Sequence, residues 1–549
     1  MTSPAAARRT ALKAFTLTLV VLLANGRAIG SGHTTAVERT AAALVEYGSV
    51  VLQDPGGADP FTRMTPEGRV SIYPALPAIV ATPVFFAFRL LFDLDRFGMQ
   101  IAGKLAAALL SAIAASLLAF TFARRQNPGR ALLAALFFGI GTSLYSTSQA
   151  LWQHPAAALF LVLALMGFES VDRAAARSFT PLPAAVLAAG GLTLAAACRP
   201  AMIPMVAWLL WALVRRLKAR ALWPLVVASI PALGVALYNA TFFGAPWHFG
   251  PATSGRFFAA LPESIPGLLI SPARGLLMFT PIALIAFAGL ARRGSHSWLA
   301  RVLLGAVAIH FTFIACWNEW HGGESFGPRL LTDLLPALFF FLPEGLAWRP
   351  RLGMLLGVLS VAVQIIGGWT YDYRWERLHQ RGGDFAAALW SWREAPVLFA
   401  LREGVVTQGL PSIDERRLRL RVRRFVPAGG RGSLIESAFG TLRVSGPAAV
   451  SDVRLERGAR IDKDGIALGH PGDAVAFRGL EAGGRGLRVT GTLHGVLRVD
   501  SGDSGLSTPL SGPFDFKLPL VLTPGQDVFV RAESGDLRLT RIAIEPARY

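Results

Sequence analysis

Long apolar runs recur along the chain at close to the length that crosses a bilayer, about 20 residues, and no soluble fold buries so many of them. They lie near residues 11–24, 99–123, 131–149, 155–171, 182–198, 200–214, 221–243, 276–291, 299–316, 330–347 and 352–370. The expected fold class follows: a polytopic α-helical membrane protein with about eleven transmembrane helices. The chain carries a formal net charge of +19, which by itself could point to nucleic acid. Its arginines, however, cluster in short connections such as Arg124/Arg125/Arg130, Arg215/Arg216/Lys218/Arg220 and Arg292/Arg293, where the positive-inside rule places them on the cytoplasmic side. No nucleic-acid partner is expected.

One run resists counting. Residues 73–92 are apolar, yet Pro74, Pro77 and Pro83 each remove a backbone donor and disfavour a straight helix. All the basic clusters can face the cytoplasm only if this run does not cross. It is therefore expected to be interfacial or re-entrant. The N-terminus is then inside, and 25–98, 150–154, 244–275, 317–329 and everything after 371 lie outside. Arg8 and Arg9 followed by apolar residues resemble a signal-peptide core, but no small-residue cleavage site follows, so this run is expected to be a retained first helix. Cys198 and Cys316 form no CxxC pair and are expected to be buried thiols.

Beyond about residue 405 the pattern changes to period two between Gly, Pro, Asp and Ser turns, as in 486–502 and 527–546, the signature of strands. The expected domains are 1–370 in the membrane, with 25–98 as a first outer loop with juxtamembrane helices, 371–404 as a linker, and 405–549 as an outer-side, sandwich-like all-β domain. Arg417, Arg419, Arg421 and Arg423 would share one face of a strand, read as a solvated face.

No Walker loop, GxGxxG, HExxH or GxSxG occurs, so any chemistry has to be assembled from the outer loops. Their candidates are His33, Glu38, Lys104, His154, Arg199, Arg256, Arg274 and the stretch CWNEWHGGESFGPRLLTDLLP (316–336), with Trp317, Glu319, Trp320, His321, Glu324 and Arg329. Ionisable groups at the ends of crossing helices are costly unless they pair, snorkel or serve a ligand. Several basic groups on one face suit a phosphate at the membrane surface, since arginine offers a bidentate fork. Aromatic faces and carboxylates in 316–329 suit a sugar. Two histidines and Glu38 could also hold a divalent metal.

These pieces carry a resemblance. NGRAIGSGHT, YPALP, GKLAAALLS, ALWQHP, YNATFFGAP, LLISPARGLLMFTP and WNEWHGGESFGPRLLTDLLP occur in the order seen in bacterial GT-C membrane glycosyltransferases. Across roughly residues 10–370 the chain looks most like the family 39 protein-mannosyltransferase and aminoarabinose-transferase-like proteins. The resemblance implies a multi-pass inner-membrane enzyme that moves a sugar, with inversion, from a polyprenyl-phosphate donor to a glycan, lipid or protein acceptor on the outer face. It also implies a horizontal juxtamembrane segment at 73–92 and a donor-phosphate role for Lys104. His33 stands where the family places its first-loop aspartate, and His154 where a second acidic residue often follows. Glu38, His33 and His154 are thus the catalytic candidates. Lys104, Arg199, Arg274, Trp320, Glu324 and Arg329 are the candidates for donor phosphate and sugar. A transporter or flippase of lipid-linked glycans, or a binder without turnover, remains the alternative.

Overall fold

The computed structural model describes residues 3–52, 59–92, 94, 96–175, 182–248, 257–258, 260–371, 373–382, 385–403 and, beyond these, the strand residues between 423 and 546. The chain divides into two units. One is helical, Met1–Phe85 with Met99–Pro411, and the other joins Phe86–Gly98 to Ser412–Tyr549.

Among the described residues five helices are long and apolar enough to cross a membrane: Phe97–Ala123, Gln153–Ala174, Pro200–Phe243, Trp298–Ala315 and Pro350–Thr370. The pair Arg329–Phe339 and Leu342–Trp348, bent by 69°, makes a sixth if it is one span. About eleven crossing helices were expected. The runs 200–214 and 221–243 count here as the one helix Pro200–Phe243, Leu182–Cys198 is a shorter apolar helix of 17 residues, and turn chemistry interrupts other runs. Residues 131–149 divide at Gly141, where the Thr142 hydroxyl accepts from the Leu144 amide and starts a new short helix. Residues 276–291 divide around Pro281 into Leu276–Phe279 and Ala283–Gly294. Within 73–92 the helix is Leu76–Arg89, 14 residues with Pro83 inside. At about 1.5 Å per residue it is about 21 Å long, short of the ~30 Å hydrocarbon core.

The helices approach closely because small residues face one another. A Cβ added at Gly167 would meet the Ala188 amide nitrogen at 2.6 Å, and one at Gly191 the Ala164 nitrogen at 2.9 Å. This seals Gln153–Ala175 against Leu182–Cys198, and the buried core of the unit runs through both. Cys198 is buried and Cys316 half-buried, both free thiols.

The segment 25–98, expected as a first outer loop, opens with helix Gly32–Tyr47. Ser31 and Thr34 form a reciprocal capping box at its start, and Gly48 closes it in the left-handed region at φ 66°. Its buried face is Thr34, Ala36, Val37, Glu38, Thr40 and Ala41. With Val37, Ala41, Leu44 and Val45 on one helical face, the sequence pattern puts Glu38 off that face with Arg39 and Glu46. Instead it is 1% exposed, because Gly103 on the facing helix leaves the space its side chain fills.

Among the described residues of 371–404, expected as a linker, lie three helices, Arg374–Gly382, Phe385–Trp390 and Pro396–Glu403, inside the helical unit, with Trp375 and Glu376 buried. In the second unit the alternating runs form strands as expected. Gly483–Ser501, Ser504–Leu522 and Val528–Pro546 are strands of 19 residues each, the first pairing antiparallel with both others, in a hydrogen-bonded network of ten strands among the described residues. Arg256, Arg417, Arg419 and Arg421 lie outside the described residues.

Candidate functional site

The stretch 316–329 turns back on itself through Gly322, Gly323 and Gly327, at φ 76°, 63° and 84°, conformations a side chain strains. Arg274 holds this turn. Its guanidinium donates to the carbonyls of Ser325 (2.7 Å) and Gly323 (2.9 Å) and to Oε1 of Glu376 (2.8 Å), and lies over the Trp375 ring at 5.1 Å. It is wholly buried. Expected to contact donor phosphate, Arg274 instead spends its terminal donors on the loop and on Glu376. Trp320, expected as a sugar platform, is 3% exposed. Its indole fills the space left by Gly267, where a Cβ would come within 2.2 Å of the ring. Burial, with Arg274 and Arg329 nearby, pushes His321 down to about 4.

The arginine at the end of the stretch behaves differently. Arg329 begins the 3₁₀ turn Arg329–Leu334 and is 8% exposed. It donates to the Gly322 carbonyl at 2.5 Å, and its guanidinium carbon lies 4.2 Å from the Trp152 ring centroid. Its buried Nε has no hydrogen-bond partner, and no carboxylate pairs with it among the described residues. Against the same indole, at a 5.8 Å centroid separation and 27° between planes, is His33. Nδ1 of His33 is hydrogen-bonded to the Tyr73 hydroxyl, and Phe61 packs on the imidazole at 4.7 Å. Burial and then Arg329 and Arg199 push His33 down to about 3, so the imidazole is neutral at physiological pH. If Nδ1 accepts from the Tyr73 hydroxyl, Nε2 carries the imidazole proton. Burial pushes the Tyr73 phenol up to about 12.

Below this group Asp333, 0% exposed, joins three elements. Its Oδ1 bonds Nδ1 of His154 at 2.7 Å and its Oδ2 accepts from Nε of Arg199 at 3.1 Å. His310 approaches Oδ2 at 4.0 Å. Gln153 takes Nη1 of Arg199 at 3.2 Å, and the buried Nη2 is left without a partner. His154 therefore serves Asp333. Arg199 is aimed by Asp333 and Gln153, with one donor to spare.

Lys104 and Glu38 occupy the neighbouring helix contact. Lys104 is fully buried, its ammonium donating to Oδ1 of Asn25, the Arg27 carbonyl and Oε1 of Gln149. Those three oxygens use the three protons, so a phosphate could reach Lys104 only by displacing one. Oε1 of Glu38 accepts from the Leu151 amide at 3.4 Å, whereas its buried Oε2 has no partner. Burial pushes Glu38 up to about 8, so the carboxyl holds its proton at neutral pH. Glu319 is exposed. Glu324 is half-buried and lines a narrow cleft of about 20 Å³ with Trp152, Ser146, Thr147, Tyr371 and Tyr373.

The structure thus gathers Arg329, Arg199, His33 and His154, places Glu324 at the adjoining cleft, and gives Lys104, Arg274 and Trp320 interior partners. No three His, Cys, Asp or Glu side chains converge as a metal site among the described residues, and His154 already has Asp333 on Nδ1. Asp333, Trp152, Tyr73 and His310 were not anticipated. Asp333 carried a signal, being the lone charge between Arg329 and Glu344 in an apolar run.

No family profile matches the chain, and no curated protein matches it. Solved structures that it resembles include ArnT from Cupriavidus metallidurans in the apo state, with a TM-score of 0.43, and the same protein bound to undecaprenyl phosphate, with a TM-score of 0.42. The chain is similar to ArnT. Both matches are 17% identical and cover 65% of this chain. The chain spans 62% of the length of the ArnT structures.

Proposed function

We propose that the protein is a GT-C-type glycosyltransferase that takes a sugar from a polyprenyl-phosphate donor at the outer face of a bacterial inner membrane and passes it to an acceptor. The observation that carries this reading is Arg329, a buried cation with an orphaned Nε and an aromatic face where a carboxylate would ordinarily be. A buried charge without a counter-ion is costly, and a bound anion removes that cost. Arg199 offers a second orphaned donor. Together the two arginines carry two positive charges against the one negative charge of Asp333, a balance suited to the single charge of a phosphodiester. Arginine forks fit phosphate oxygens, and the His33 imidazole packs on the same indole as Arg329. As the bond to the sugar breaks, charge grows on the phosphate, and fixed donors in a dry site stabilise it.

The test is a panel of radiolabelled polyprenyl-phosphate sugars given to the purified protein. Label leaves the lipid with wild type and stays on it with Arg329→Ala. If no sugar on the panel is released, the transferase reading is wrong. A second reading, a binder of lipid-linked glycan without turnover, is favoured by one fact: the first-loop groups are poor bases. Glu38 keeps its proton to about 8 and His33 resists one down to about 3. Binding of undecaprenyl phosphate with no release would select it.

A further inference from the structure

Transfer to a hydroxyl calls for a group that accepts its proton, and the carboxylates around the arginine centre can be taken in turn. Glu38 is enclosed and protonated. Both oxygens of Asp333 are held, by His154 and Arg199. Glu376 is 0% exposed and bound to Arg274. Glu319 faces outward. Glu324 remains, with no ion pair among the described residues and its side chain on a cleft. That cleft is narrow, about 20 Å³, room for about one water-sized group such as a hydroxyl. It shares Trp152 with Arg329 and His33, so a phosphate on the arginines and a hydroxyl in the cleft would be neighbours. Ser146, Thr147 and Tyr373 line it, hydroxyls that match those of a sugar. Tyr373 lies in the left-handed region at φ 62°, a strain that a non-glycine residue keeps where surroundings impose it. Burial and then Glu324 push its phenol well up, so it stays a proton donor.

We propose that Glu324 is the general base that deprotonates the acceptor hydroxyl. This rests on the glycosyltransferase reading above. The acceptor oxygen forms its bond to the anomeric carbon while the Glu324 carboxylate takes its proton. The bond from that carbon to the phosphate oxygen breaks, and its electron pair leaves with the phosphate, whose charge Arg329 and Arg199 meet. Glu324 ends as a neutral acid and returns its proton to solvent. The role has moved out of the first loop, where His33 is held by Tyr73 and Glu38 is sealed, into the loop that Arg274 pins.

The experiment uses the full-length protein, the labelled donor that wild type turns over, and undecaprenyl phosphate as the binding probe. Glu324→Gln keeps the shape of the side chain and loses its basicity. Its turnover falls at least about a hundredfold, in keeping with the roughly 10²–10⁴ contribution of a general base, while the Kd for undecaprenyl phosphate stays within about twofold. Added formate partly restores Glu324→Ala, since a small carboxylate can enter the vacated space. Turnover of Glu324→Gln within about threefold of wild type overturns the assignment, as does an equal loss of binding and turnover, which marks a binding role. A wild-type protein that binds undecaprenyl phosphate but releases no sugar overturns the base and leaves the binder. One that does neither overturns the transferase reading beneath it.

Discussion

The guanidinium of Arg329 rests 4.2 Å from the centre of the Trp152 ring, and no carboxylate among the described residues shares it. An aromatic face stabilises a cation without neutralising it. The arrangement therefore keeps a full positive charge available inside a protein, which a salt bridge would have consumed, and His33 is braced on the same indole.

Arg329→Ala should weaken undecaprenyl phosphate binding by at least about tenfold, since a charge-assisted hydrogen bond is worth roughly 1.5–3 kcal/mol. Arg329→Lys recovers only part of it, because a point charge replaces a fork. Trp152→Leu weakens binding less, by the roughly 0.5–2 kcal/mol of a cation–π contact. Calorimetric titration of the detergent-solubilised protein measures all three. Unchanged affinity in Arg329→Ala would remove the anion site.

Arg274 calls for a different outcome. With Glu376 it forms an ion pair at 2.8 Å whose side chains are 0% and 1% exposed. Removing one partner of a buried pair strands the other and costs roughly 3–5 kcal/mol. Glu376→Ala should therefore lower the melting temperature, and Arg274→Met with Glu376→Leu should recover much of the loss, because neither charge is then stranded. A melting temperature untouched by Arg274→Ala, with donor affinity reduced, would return Arg274 to the donor site.

The same contrast shows what the sequence could reveal. Arg199, His154 and Arg329 stood out because ionisable groups beside apolar runs need a reason. The reason itself, Asp333, lay inside one such run and was read as part of the helix. Trp320 and Trp152 could not be ranked by residue type. The first is core because Gly267, fifty-three positions earlier, offers it space, and the second is in the site because Arg329 and His33 converge on it. Glu38 was misplaced for a related reason: periodicity finds the apolar face of a helix, but a glycine on the neighbouring helix let a carboxyl join that face. Crossing segments were legible as apolar runs, while their interruptions depended on local turns at Gly141 and Pro281.

Sidedness is tested by labelling single cysteines in a background lacking Cys198 and Cys316. Ser325 is only 7% exposed and makes a poor reporter, whereas Glu319 and Arg124 are both exposed. A cysteine at Glu319 should react with an impermeant thiol reagent from outside, and one at Arg124 only after the membrane is opened. The reverse pattern would put the arginine centre on the cytoplasmic side and end the outer-face assignment.

The enclosed carboxyl of Glu38 predicts a stability signature with a definite sign. Burial raises it from an ordinary 4.5 to about 8. Between those values the unfolded chain has released this proton while the folded protein still holds it, so stability falls as pH rises through the window. Glu38→Gln has the same shape and no proton to lose. Its melting temperature should therefore match wild type near pH 4, exceed it increasingly up to about pH 8, and differ by a constant amount above that. Groups that titrate alike in both proteins cancel in the difference, including His33, whose opposite effect lies below its ordinary 6.5. A difference that does not change with pH would mean that Glu38 is ionised in the folded protein, and the first loop would regain a candidate base.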